Sequence, residues 1–320
     1  MSEKQAIYSL SICGRAILDM HSMNNEGGEG NQIATRMVNV VYRDWVSGEY
    51  KLATVNAVSG DMLKHIQTEH LYFLAKGNGF PLCKGCQKFS PSRILDDIDF
   101  MGKLAKKNHE VISDLIKKCV IDDLAGNLIA KGNRAIPRKS VAEFGWVIGV
   151  PDYTTTESYF HVRYAAEHGE QAEEAQQQAI FYRPASSGVY AIVSNFEMAR
   201  IGFNDISHQY SIPDEEREKR YLALMESILY TFIEPNGAMR GTQNPHIVEF
   251  EGVVTVTNQV MPAPALSPLG DNYRQEVEKV AGALNGLKPG TVTIRHYDSM
   301  GQFAQVMREL IERTQPYKLA

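Results

Sequence analysis

Residues 8–19 read YSLSICGRAILD, and the alternation within them decides the fold class. Tyr8, Leu10, Ile12, Ala16 and Leu18 fall on one side of a period-two pattern, and Ser9, Ser11, Cys13, Arg15 and Asp19 on the other. That spacing predicts a β-strand with one apolar face and one polar face. Working outward, MVNVVYRDWVSGEYKLATVNAV (37–58) holds two strand-like runs broken at Ser47-Gly48-Glu49, a hairpin. Ser59-Gly60-Asp61 starts a helix on which Leu63, Ile66, His70 and Leu74 share one stripe. Strands follow at YFHVRYA (159–165), GVYAIVSNF (188–196), IVEFEGVVTVTN (247–258) and TVTIRHY (291–297). Pro213 before Asp214, Glu215 and Glu216 opens a second helix, with Tyr221, Leu224, Met225, Ile228 and Phe232 inward. Further helices are expected around Lys103 to Cys119, from about Asn272 to Leu284, and at the end, with Phe303, Val306, Met307, Leu310 and Ile311 on one face.

Stripped of its insertions, the order is strand, helix, strand, strand, helix, strand. This is an α+β class, the split βαβ arrangement of ferredoxin-like and RRM folds. It predicts an antiparallel sheet with helices on one face and the other face open. Residues 1–77 and 158–320 then make a discontinuous core, and 78–157 a basic insertion subdomain. MPAPALSPLGDN (261–272) reads as a Pro-punctuated linker.

The 320 residues are 43% hydrophobic and 22% charged, the balance of a folded protein. No apolar run approaches the ~20 residues that span a bilayer. The opening MSEKQAIYSL has no long apolar segment or cleavage site, so a cytoplasmic location is expected, with no membrane partner. Four cysteines are too few for a disulfide scaffold. The net charge of −5 is unevenly spread. Residues 61–150 carry 14 Lys and Arg against 10 Asp and Glu, whereas 151–235 carry 6 against 14. A negative total therefore leaves room for a basic groove, and unlike flanks suit head-to-tail self-association.

Three stretches carry possible chemistry. LDMHSMNNEGGEGNQIATRM (18–37) is glycine-rich, but it is neither a dinucleotide fingerprint nor a Walker loop, which argues against nucleotide hydrolysis. Asp19, His21 and Ser22 are adjacent, yet a catalytic triad needs spatial order that adjacency does not supply. The stretch reads either as a solvated hairpin loop or as a surface for sugar and phosphate. NGAMRGTQNPH (236–246) has the same character, with Arg240 offering a guanidinium and Met239 an apolar wedge. Cys83-x-x-Cys86 is half of a zinc site, and no second pair with ligand spacing follows. Cys119, His109 or His70 could complete it in space; otherwise it is two reduced thiols in a turn. No metal and no cofactor are expected.

Taken together, SICGRAILDMHSMNNEGGEGN (11–31), VNAVSGDMLKHIQTEHLYFLAKGNGFPLCKGC (55–86) and GAMRGTQNPHIVEFEGVVTVTNQVMPAPALSPL (237–269) resemble the DevR-type Cas-seven proteins, the backbone subunits of type I CRISPR surveillance complexes (Cascade). The resemblance covers most of the chain in matching order. It implies an RRM-like palm with insertions forming a hand-like crescent. Copies would stack head to tail along a CRISPR guide RNA beside other Cascade subunits, holding its backbone while its bases pair with target DNA. It also implies no nuclease activity. By the same resemblance His21, Ser22, Asn24 and Asn25 would meet the RNA after the first strand. Lys64 and His65 would do so from the first helix, and Met239, Arg240 and Gln243 from the late loop. Arg15 on the open sheet face and Arg134 and Arg138 in the insertion extend the set. Two rivals remain open: an RNA-cleaving relative of the same fold, and a zinc-bearing interaction protein. For the first, NGLKPGTVTIRHYDSMGQF (285–303) matches the glycine-rich loop of processing endoribonucleases poorly, and Asp19 is the one nearby metal-site candidate. Defence and transposon-recruited targeting would need the same guide-holding chemistry.

Overall fold

The structure, a computed structural model, describes residues 4–44, 46–162, 180–236 and 244–319. Ser9–His21 lies inside the main sheet, whose strands run in the order Val292–Tyr297, His246–Thr257, Ser9–His21, Ile180–Phe196, Val147–Val162, Tyr50–Val58 and Met37–Arg43. Every neighbouring pair along this path is antiparallel. The four inner strands, taken in chain order, stand 4-1-3-2. Helices Gly60–Gly77 and Asp214–Ile233 fill the two crossovers. This is the ferredoxin-like core, widened at one edge by the 37–58 hairpin and at the other by Val292–Tyr297. The two helices pack together, with Gln67 Nε2 donating to Ser227 Oγ at 2.7 Å in the buried seam. Gln5–Ile7 pairs in parallel with Thr314–Pro316, so the two ends of the chain are joined.

The alternation of residues 8–19 is realised. Leu10, Ile12, Ala16 and Leu18 sit in the main core. The row is interrupted at Gly14, which pairs with Gly252 on the neighbouring strand. A Cβ at either glycine would stand 2.5 Å from the Tyr297 hydroxyl oxygen. The paired glycines thus make room for the Tyr297 ring, which packs on Phe250 and Phe303 at centroid distances of 4.9 and 5.0 Å.

The opposite face is not open at this strand. The 261–272 segment runs along it, and the polar row binds that segment residue by residue. Ala263 N–H donates to Ser9 Oγ at 3.1 Å, Ser11 Oγ donates to the Pro264 carbonyl at 2.7 Å, and Arg15 Nε donates to the Pro268 carbonyl at 2.8 Å. Arg15 also pairs with Asp271 at 2.6 Å. Helix Tyr273–Leu287 continues the cover, with Tyr273 and Val277 against Cys13 and Val253.

The inserted segment differs from expectation in extent. Val147–Val162 is one long strand of the main sheet, so the boundary at 157/158 falls inside it. What precedes it includes helices Asn108–Lys118 and Val120–Ala125 and the hairpin Asn127–Lys131 with Arg134–Arg138. Its apolar side chains, including Val111, Leu115 and Ile129, belong to the same continuous core as the sheet.

A buried charge cluster locks this segment in place. Asp123 pairs with Arg138 at 2.7 Å and Arg220 at 2.9 Å, and all three side chains are fully buried. Arg138 also donates to the carbonyls of Asp123, Arg200 and Phe203. Arg220 reaches the Ile116 carbonyl and Glu216. Replacing the shared acid removes the one fully buried counter-charge and leaves Arg138 with the partly exposed Asp205 and Arg220 with the partly exposed Glu216. Asp123→Asn is therefore expected to destabilise the chain by roughly 3–5 kcal/mol, read from the urea midpoint. A loss near that of an exposed substitution would refute the clamp.

Candidate nucleic-acid interface

The chain leaves the first long strand at His21 and turns at once against the start of helix Gly60–Gly77. Asn24 Oδ1 accepts from both Ser59 N–H and Ser59 Oγ at 3.1 Å, and the Asn24 carbonyl accepts from Arg36 N–H at 3.0 Å. Ser59 is the helix N-cap, with its Oγ accepting from Met62 N–H. Asn24 therefore fixes the 21–25 turn beside the helical turn that carries Lys64 and His65. Beyond it the glycine-rich stretch is not a loop. Asn25–Glu29 pairs antiparallel with Gln32–Thr35, and Gly27 and Gly30 adopt positive φ.

The late motif enters at the same end of the sheet. Ile247 pairs with Leu18 and His246 with Asp19. A cavity of about 30 Å³ is walled by Leu18, Met23, Leu63, Pro235 and Ile247. The described residues on both sides of 237–243 thus converge on the 21–25 turn and the first helix. Met239, Arg240 and Gln243 themselves lie outside the described residues.

Next to this junction lies a groove of about 380 Å³ lined in part by Lys64, His65, Phe89, Ser90 and Arg93. The His65 and Phe89 rings stand 5.6 Å apart. Burial, and then the charge of Arg93, lower the Lys64 pKa, with Asp61 and Glu143 opposing. Among the described residues neither Lys64 nor Arg93 forms an ion pair with a carboxylate. Arg93 instead donates to the Gly126 carbonyl at 2.6 Å. The groove thus gathers two cations and two rings beside the Asp61 carboxylate, a set that suits an anionic, ring-bearing ligand.

The sequence matches, over residues 12–278, the family described as CRISPR-associated negative auto-regulator DevR/Csa2. The chain belongs to this family. No curated protein is matched. Among solved structures, the fold is similar to a chain of "CRISPR RNA-guided surveillance complex, pre-nicking". The TM-score is 0.51 at 13% identity, covering 95% of this chain and 99% of that one. A chain of "CRISPR RNA-guided surveillance complex" matches with a TM-score of 0.50 at 11% identity, covering 95% and 98%. At these identities the likeness is one of fold. No described helix of this DevR-family chain is long and apolar enough to cross a membrane.

Within the DevR-family fold the expected contact residues separate into two groups. The 21–25 turn, Lys64 and His65 come together. Arg15 is held by the 261–272 segment on the other sheet face, Arg134 by Asn108 Oδ1 and the Ala105 carbonyl, and Arg138 by the buried Asp123 cluster. Phe89 and Arg93 join the groove though no recognised motif marks them; they flank the Ser-Pro-Ser that follows Cys86 as an aromatic and a cation. Within the turn, Ser22 and Asn24 are buried, Asn25 is half-buried and His65 is exposed. His21 is only 2% exposed, its ring edge-on to Tyr190 at 4.9 Å. Among the described residues neither of its ring nitrogens has a hydrogen-bond partner. Burial lowers its pKa from 6.5 to about 4, so it is neutral at pH 7.

That shift predicts acid sensitivity. Below pH 6.5 the unfolded chain takes up a proton that folded His21 refuses, and stability falls until the folded pKa is reached. His21→Leu should remove about 3 kcal/mol of the stability lost between about pH 7 and about pH 4. Urea midpoints of the two chains at both pH values check this. An unchanged pH dependence would show that His21 is not the buried neutral group.

Proposed function

We propose that this DevR/Csa2-family protein is a non-catalytic guide-RNA-binding subunit of a type I CRISPR surveillance complex. Copies stack head to tail along the guide in the cytoplasm, alongside other Cascade subunits, and present it to target DNA. The observation that carries this reading is the groove lined by Lys64, Arg93, His65 and Phe89, beside the junction where the 21–25 turn and both flanks of the late loop meet. A guide holder needs contacts to phosphate and 2′-OH and no readout of bases, because pairing reads the sequence. Two cations supply phosphate contacts, and rings supply sequence-tolerant stacking. His21, Ser22 and Asn24 act from inside, shaping the turn, while Asn25, Lys64, His65 and Arg93 face the RNA with Met239, Arg240 and Gln243. Modest charge per subunit suffices, since binding is multiplied along the strand. The basic 61–150 region and the acidic 151–235 region suit contact between successive copies.

The non-catalytic part rests on His21. It is buried and without a carboxylate partner among the described residues, and its pKa of about 4 makes it a weak proton acceptor, so it is not set up as a general base. The same guide-holding chemistry serves defence and transposon-encoded targeting alike.

Expression with a CRISPR array tests the reading directly. The purified protein should elute as a large particle with nucleic-acid absorbance, and monomers with the absorbance of protein alone would sink it. Lys64→Ala or Arg93→Ala should then weaken RNA binding by roughly tenfold, the worth of one hydrogen bond to a charged group. Each should flatten the slope of log affinity against log salt by ~0.7, one single-strand phosphate contact. The loss should be equal for guides of any sequence, as for Arg240→Ala. A strongly guide-dependent loss would rule out phosphate contact.

A further inference from the structure

The Cys-x-x-Cys motif is completed in space by residues from a different helix pair. The sulfurs of Cys83, Cys86 and Cys119 and a carboxylate oxygen of Asp122 all lie within 4.8 Å of one another, and all four residues are buried. Neither His109 nor His70 joins this group, and His70 contacts the Glu234 carbonyl instead.

The four groups are held as ligands are held. Cys83 caps the short helix Lys84–Gln87, and Cys86 N–H donates to its sulfur at 3.3 Å. Gly85, between them, lies so close to the Arg93 carbonyl that a Cβ would stand 1.9 Å from it. Cys119 occupies the joint between helices Asn108–Lys118 and Val120–Ala125, and Asp122 follows it on the second helix. Oδ2 of Asp122 faces the thiols, 3.2 Å from Cys83 Sγ and 3.5 Å from Cys86 Sγ. Its other oxygen is fixed from behind by Asn127 Nδ2 at 2.6 Å and Ile94 N–H at 3.4 Å. Outer hydrogen bonds of this kind orient a metal-ligating carboxylate.

As plain core packing this cluster is costly. A buried carboxylate needs a counter-charge or a proton, and among the described residues Asp122 has no ion pair with a basic side chain. A tetrahedral ion with metal–sulfur bonds of ~2.3 Å holds its ligand atoms ~3.8 Å apart, so a closure of at most ~1 Å makes the site. Three thiolates select zinc over magnesium or calcium. An iron–sulfur cluster would spread its ligands over two or more irons, and so farther apart than these. With four protein ligands no coordination position is left for a substrate.

We propose that Cys83, Cys86, Cys119 and Asp122 bind one structural zinc(II) ion, which pins the 83–93 segment to the 119–127 segment. Loading releases the thiol protons to solvent and breaks no other bond. Through Gly85 and the Arg93 carbonyl, the ion sets the position of Phe89 and Arg93 in the groove. Its occupancy does not depend on RNA binding, so either proposal can fail without the other.

The test is metal content of the full chain, purified under reducing conditions without chelator and freed of nucleic acid. About one zinc per chain is expected, and the cobalt-substituted protein should show thiolate charge-transfer and tetrahedral d–d absorption. Cys119→Ser should lose the metal, and Asp122→His, which keeps a ligand, should retain it. Should Cys119→Ser not fold, chelation of the unmodified chain serves instead: zinc release should expose the three thiols to a thiol reagent and lower the melting temperature. Folded, unmodified protein without stoichiometric zinc, whether its thiols are free or paired as a disulfide, overturns the proposal. So does zinc that persists in the Cys83→Ser, Cys86→Ser, Cys119→Ser triple variant.

Discussion

One buried carboxylate between two guanidiniums holds the architecture together. Asp123 belongs to the inserted segment, Arg138 to its hairpin and Arg220 to the helix that crosses between the last two core strands. A charge cluster of this kind gains little net stability over an apolar replacement, because desolvating three ions costs nearly what their attraction returns. Its effect is on geometry. Arg138 also donates to the Phe203 and Arg200 carbonyls and Arg220 to the Ile116 carbonyl, and these fixed acceptors set the orientation in which the insertion docks. Arg93 sits on this docked segment, and Lys64 on the first core helix. The distance between the two groove cations is thus set by contacts made well away from the groove.

The central strand shows a similar division of labour. Its apolar row builds the core, and its polar row is a set of donors and acceptors for the 261–272 segment. The outer face, which an RRM-like sheet would offer to nucleic acid, is occupied there by the chain itself. The proposed recognition site lies instead at the end of the sheet, where a turn, a helix start and a returning segment meet. Arg15 belongs to the structural side of this division, because its guanidinium secures the covering segment.

Local pattern made much of this legible. Alternation over residues 8–19, the cap at Ser59, the acidic first turn after Pro213 and the stripe ending at Ile311 each predict the element found, because each depends on neighbours in sequence. The misreadings share a cause. The Asn25–Thr35 hairpin is built from glycine and polar residues, so backbone pairing and not side-chain pattern defines it. The strand from Val147 begins in residues that carry a turn as well as an extended run, and its pairing with Ile180–Phe196 is long-range. Residue type says nothing of the burial of His21 and Arg138, which is decided by partners farther along the chain, Tyr190 for the first and the Arg200 and Phe203 carbonyls for the second. Asp122 follows Cys119 at no recognised ligand spacing, and only the fold of the helix pair turns it toward the thiols.

The position of the Ser9–His21 strand also bears on how the protein is made. It is synthesised well before the two strands between which it ends. Its partners lie roughly 170 and roughly 240 residues downstream, so at ~5–20 residues per second the nascent strand waits on the order of 10–50 s for its second neighbour. A two-edged apolar strand left unpaired for that long invites pairing with other nascent chains. The polar row that later grips the 261–272 segment keeps one face of the waiting strand hydrated and places a guanidinium at Arg15 to discourage stacking. The same side chains that leave one face of the unpaired strand polar anchor the 261–272 segment in the folded chain.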